Sequence, residues 1–133
     1  MRSAGAEVLV ENRYSGKDAG EAQKTALNMI DDLRAADGVF ASNQSASEGL
    51  VIALQKNNLA GKVKVVAFDS SPILVDALAQ GHVDALVVQD PRNMGYVSVK
   101  TMADHLAGKP TESTVNTACH LVTRDNMSDP EIK

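Results

Sequence analysis

An α/β fold on a parallel sheet, with helices on both faces, is what this sequence predicts. Three observations carry the prediction. Short apolar runs of strand composition alternate with amphipathic segments of roughly 10–17 residues. Most of those segments open on a helix-start signal placed just after an apolar run. Three of the apolar runs also end in a polar side chain, in "GVFASNQS", "VVAFDSSP" and "ALVVQDPR". Strands separated by helices need crossover connections, and crossovers make the strands parallel and bury the sheet.

Residues 7–11, "EVLVE", read as the first strand. Asp18 then offers an N-cap, with Glu21 at capping-box spacing. A helix follows to about Ala35, because Ala22, Ala26, Met29, Ile30 and Leu33 recur at helical spacing. Residues 38–41, "GVFA", read as a short buried strand. Ser45 with Glu48 repeats the capping box, and Leu50, Val51 and Leu54 mark a helix ending near Asn57 and Asn58. Gly61 breaks the chain before the clearest strand, residues 62–68. Ser71 is an N-cap with Pro72 in the first helical position, and that helix stops at Gly81. Residues 83–89 form the next strand. Asp90 and Pro91 then restart a helix through Met94, Val97, Thr101 and Leu106, closed by Gly108 and Pro110. A weaker strand is expected at residues 120–123.

The composition narrows the function. A chain of 133 residues suits one domain or part of a larger protein. Its net charge of −4, without a basic stripe, argues against a nucleic-acid partner. With no Trp, two Tyr and two Phe, a base-stacking platform is not supported. No apolar stretch approaches the roughly 18 residues of a membrane span. No signal peptide is recognisable in this chain, and its early entry into a strand suggests that a leader or N-terminal segment is absent from it. Cys119 stands alone, so it reads as a small semi-buried apolar residue. His82, His105 and His120 are scattered, and no metal site is expected. Without a GxSxG elbow, a Walker loop or GxGxxG, neither catalytic residues nor a cofactor are expected. The five methionines read as core filler.

In an open parallel sheet, ligands bind beyond the carboxyl ends of the strands. Asn43, Asp69 and Gln89 stand at three such ends, where they can converge. An amide both donates and accepts, and a carboxylate accepts from two hydroxyls at once. That mixture suits a sugar or polyol. Against this, Asn, Asp and Ser after a strand are common helix caps. Ser45, Ser71 and Asp90 are better placed to cap, which would leave Asn43, Asp69 and Gln89 free. Tyr14, beyond the first strand, could stack on a sugar, and Lys17 is an equal rival for that place.

Residues 38–110, running from "GVFASNQSASEGL" through "VVAFDSSP" and "GHVDALVVQDPRNMGY" to "HLAGKP", closely resemble the C-terminal lobe of periplasmic sugar-binding proteins of ABC transporters, ribose-binding type. The ending "HLVTRDNMSDPEIK" is similar to theirs. The resemblance covers nearly the whole chain. It implies two flavodoxin-like lobes joined by three crossovers, with sugar bound in the cleft. By motif, Asn43, Asp69 and Gln89 resemble the sugar contacts of the C-terminal lobe, while Tyr14 to Lys17 match less well. Gln89, Asp90 and Pro91 fall at a hinge. Implied partners are a monosaccharide and a membrane permease, and the implied location of the parent protein is periplasmic.

Measured against that family, the chain would be a fragment. Residues 1–90 would form an incomplete C-terminal lobe, and residues 91–133 a helix and strand that would pack on an absent N-terminal lobe. The missing strand would lie between "EVLVE" and "GVFA", leaving open sheet edges. Weak sugar binding or none is therefore expected, together with a homodimer formed by exchange of a strand or the last helix. The competing resemblance is the sugar-effector domain of a lac-repressor-type regulator. An enzyme on a flavodoxin-like sheet is the remaining alternative.

Overall fold

The computed structural model describes residues 5–10 and 13–129. In chain order the elements are α1 (Ala19–Asn28), α2 (Ile30–Ala35), β1 (Gly38–Phe40), α3 (Gln44–Lys56), β2 (Lys64–Phe68), α4 (Pro72–Ala79), β3 (Ala85–Gln89), α5 (Pro91–Leu106) and β4 (Cys119–Val122). The strands form one sheet in the order β1-β2-β3-β4. The first three are parallel, with Phe40 beside Val66 and Phe68 beside Val87. β4 runs antiparallel to β3, so the sheet is mixed.

Adjacent parallel strands joined by right-handed crossovers place their helices on one face. α3 and α4 accordingly touch each other while packing on β2 and β3. Their apolar side chains meet those of the strands in the core, where Leu54, Leu74, Leu78, Val65 and Leu86 are at most 1% exposed. α1 lies on the outside of α3. Gly49 makes that contact possible: a Cβ there would stand 2.5 Å from the Ala22 Cβ and 2.5 Å from the Gln23 backbone nitrogen.

Five expectations change. Residues 7–10 form no strand, and Glu11 lies outside the described residues. A strand exists only through its neighbour's hydrogen bonds, and β1 leaves its outer edge unpaired. For the same reason β1 is not a buried strand: Gly38 and Phe40 are exposed and only Val39 is half-buried. The helix expected to run on to Ala35 breaks at Met29, whose N–H turns back to the Ala26 carbonyl at 3.2 Å. α2 then starts afresh with Asp31 and Asp32 in its first turn, where the helix dipole favours acids, and Arg34 in its last. Cys119 is exposed rather than semi-buried, because it stands on the outermost strand. Of the methionines, Met29 and Met127 pack against the core, whereas Met102 is 59% exposed on α5.

Candidate functional site

Parallel register brings the carboxyl ends of β1, β2 and β3 to one rim of the sheet. Asn43, Asp69 and Gln89 all stand on it, and each is held differently.

Asn43 is the N-cap of α3. Its Oδ1 accepts from the Ala46 N–H at 2.9 Å and from the Ser45 hydroxyl at 3.0 Å. Ser45 is therefore not the cap that its spacing to Glu48 suggested, and Glu48 instead accepts from the Gln44 side chain at 2.9 Å. Asn caps as well as Ser, so the helix starts at the earlier residue. Capping occupies the oxygen of Asn43 and leaves its amide nitrogen as the group available to a ligand.

Asp69 ends β2 in the left-handed region, at φ +70°. Its N–H donates to the Val87 carbonyl at 2.9 Å, which ties the turn to β3. Outside glycine this conformation is uncommon, and Asp and Asn tolerate it best. The half-buried carboxylate has no hydrogen-bond partner among the described residues. Gln89 closes β3 opposite Cys119, with an exposed side chain. Asp90 caps α5, accepting from the Asn93 N–H at 2.9 Å, with Pro91 behind it. Ser71 occupies the N-cap position of α4 but makes no side-chain cap. Its carbonyl receives the Leu74 and Val75 N–H groups, while its buried Oγ lacks a partner among the described residues.

A residue that sequence reasoning passed over links two of these positions. Ser47 is fully buried in α3. Its hydroxyl donates to the Asn43 carbonyl at 2.8 Å and accepts from the Phe68 N–H at 2.9 Å. One oxygen thus fixes the start of α3 against the last residue of β2, directly before Asp69. A serine one turn inside a capped helix, beside a strand end, was the available signal. Beneath the rim, Phe40 and Phe68 pack edge to face with ring centres 6.5 Å apart.

Tyr14 and Lys17 share no hydrogen bond with Asn43, Asp69 or Gln89 among the described residues. Tyr14 is 95% exposed. Lys17 pairs with Glu21 at 3.7 Å, and its N–H donates to Glu21 Oε2 at 3.0 Å. Asp18 accepts from the Glu21 N–H at 2.9 Å, so the expected cap of α1 is present. None of Asn43, Asp69 or Gln89 lines either of two cavities elsewhere in the described structure. One, about 130 Å³, lies between α1 and β1; the other, about 430 Å³, lies between α5 and residues 111–117. The three polar residues thus stand on the rim outside both cavities.

At the opposite end of the strands, Asp84 organises the sheet. Burial raises the pKa of its carboxyl, but the Lys64 ammonium at 2.8 Å and the Val65 N–H at 2.9 Å outweigh that and leave it lowered. No group of three or more His, Cys, Asp or Glu side chains suited to a metal occurs among the described residues.

An α/β lobe with polar side chains gathered at its parallel strand ends is the architecture of a small-molecule receptor lobe. The comparisons give the family. Residues 3–110 match the periplasmic binding protein domain, and the chain belongs to that family. It is a family of periplasmic solute-binding proteins, not of enzymes. An Agrobacterium radiobacter carbohydrate-transporter solute-binding protein, solved with D-arabinose, is 39% identical over 90% of this chain, with TM-score 0.78. An Agrobacterium vitis ABC-transporter solute-binding protein with D-fucose is 26% identical over 92%, with TM-score 0.81. A further one from Agrobacterium vitis, with α-D-tagatopyranose, is 28% identical over 92%, with TM-score 0.82. The chain spans 42%, 40% and 41% of the D-fucose, D-arabinose and tagatopyranose proteins. Comparison with curated proteins gives no match.

Proposed function

We propose that this chain supplies one side of a monosaccharide site in the receptor of an ABC transporter. Asn43, Asp69 and Gln89 are the sugar contacts, and a ribose-like pentose is the ligand. The observation that carries the reading is Asp69: a carboxylate held in a left-handed turn on the rim, with its backbone bonded to β3 and its side chain without a hydrogen-bond partner among the described residues. Such a group accepts from two neighbouring hydroxyls with charge-assisted strength. In the parent protein the lobe faces a second lobe in the periplasm, hinged at Gln89, Asp90 and Pro91, and hands its sugar to a membrane permease. The receptor lobe takes its rim from the strands up to Gln89, β4 completes its sheet beside β3, and α5 is the part that packs beyond it. By itself the chain offers an open rim, so binding is weak, with Kd about 1 mM or above. Its unpaired sheet edges, or alternatively an exchange of α5, lead it to self-associate as a homodimer.

Saturation-transfer NMR with D-ribose and D-arabinose tests the sugar site. The expected result is transfer to the ring protons that disappears in Asp69→Ala while the fold persists. Transfer unaffected by Asp69→Ala, or absent for every pentose and hexose tried, would overturn the assignment.

A further inference from the structure

The open edge of β1 and the unpaired segment at residues 7–10 occur in one chain. Asp37 O accepts from Lys64 N and Ala41 N donates to Val66 O, so the odd-numbered residues of this segment face β2. By alternation, the N–H and C=O groups of Gly38 and Phe40 face outward. Beside that edge runs the cavity of about 130 Å³, lined by Ala22, Ala26, Met29, Leu33, Val39 and Leu50, among others. Its walls are mostly apolar, with Ser15, Thr25 and Ser42 among them, and it carries Arg13 on its lining.

The complementary part is Glu7-Val8-Leu9-Val10. It has strand composition, yet the described structure gives it no strand partner. Val8 and Val10 are half-buried while Leu9 is 54% exposed, an alternation suited to one covered face. Glu7 carries the charge opposite to Arg13. In its own chain this segment pairs with no described strand, and α1, which follows it, is docked on α3 at Gly49.

We infer that the β1 edge and its adjoining groove receive residues 7–10 of a second copy of this chain, each copy giving its segment to the other. The inference rests on the self-association proposed above and names the surfaces that make it. Each copy holds one unfilled edge and one unpaired strand-like segment, so a two-fold pair satisfies both and closes without propagating. The occupant extends the sheet by backbone hydrogen bonds at Gly38 and Phe40, and Val8 and Val10 enter the groove.

Sedimentation at several concentrations, combined with amide hydrogen exchange, tests this on the full chain. The expected result is a dimer in which the Gly38 and Phe40 amides gain protection as concentration rises. Leu9→Pro removes a donor from a segment that no core residue needs. It should weaken the dimer about tenfold or more and return both amides to fast exchange. Leu106→Ser on α5 should leave the dimer intact. A dimer indifferent to Leu9→Pro, or one dissolved by Leu106→Ser, overturns the inference while self-association stands. A monomer at every concentration overturns both, and leaves the sugar site to its own test.

Discussion

Helices α3 and α5 share a design and meet opposite fates. Both are capped by a side chain at the end of a strand, Asn43 for one and Asp90 for the other. Both carry apolar residues at helical spacing. Yet α3 buries Leu50, Val51, Ala53 and Leu54, together with Ser47 and Gly49, whereas α5 buries nothing and leaves Tyr96, Val99, Met102 and Leu106 exposed. Local devices hold α5 in shape. Pro91 occupies the first turn, Ser98 donates to the Met94 carbonyl, and Asp104 takes Lys100 and Lys109 together. Those two ammonium groups hold the Asp104 carboxyl below its usual range, and Asp104 in turn raises Lys100. The pair of helices teaches that caps and i,i+4 bonds make a helix, while burial depends on what the rest of the chain sets against it.

The contrast is easiest to break in the core. Leu78→Ala should cost about 2–5 kcal/mol, since the side chain is fully buried, whereas Leu106→Ala on α5 should shift stability by no more than about 0.5 kcal/mol. Urea titration of both variants reads the difference. A large loss at Leu106 would show that α5 is covered in solution.

Ser47→Ala comes next. It leaves the Phe68 N–H without its acceptor, at a cost of about 1–3 kcal/mol. Because the same hydroxyl anchors Asn43, chemical shifts should move at both Asn43 and Asp69. A shift confined to α3 would show that the rim is not fixed through this residue.

Asp84 sharpens the comparison from the other end of the sheet. Its folded pKa lies below the ordinary value of 3.8, so its stabilising contribution is complete above that value. The contribution is lost as pH falls through the lower folded value. Asp84→Asn should thus unfold at lower urea than wild type at pH 7, and the gap should close in strong acid. A gap that stays constant with pH would assign the loss to shape instead of charge.

A small gain in stability is expected from Asp69→Gly. Glycine adopts φ +70° without strain, so the variant should gain up to about 1 kcal/mol. It should also lose sugar contact, seen as vanished saturation transfer. Gain of stability with retained binding would remove the carboxylate from the site.

Much of the fold was legible because its signals are local. Alternation of strand and helix, the caps at Asp18 and Asp90, and Pro72 and Pro91 in first turns all act within a few residues. The rim was legible for a related reason: parallel strands carry their last residues to one side, so Asn43, Asp69 and Gln89 needed only the topology. Their individual roles were not legible. Asn and Ser cap equally well, so nothing within residues 43–45 decides between them, and the outcome left Ser45 donating to the cap it was expected to be.

What the sequence determined by itself was therefore each element's type, its start signal and the chemistry at its end, since those follow from backbone preferences and side-chain groups nearby in the chain. What only the tertiary structure decided was which elements found partners. Residues 7–10 have a strand's composition and pair with no strand among the described residues, and α5 has an apolar stripe that stays exposed. Ser47 meets Phe68 across 21 residues of chain. Pairing and burial are properties of two surfaces brought together, and no single stretch of sequence contains both.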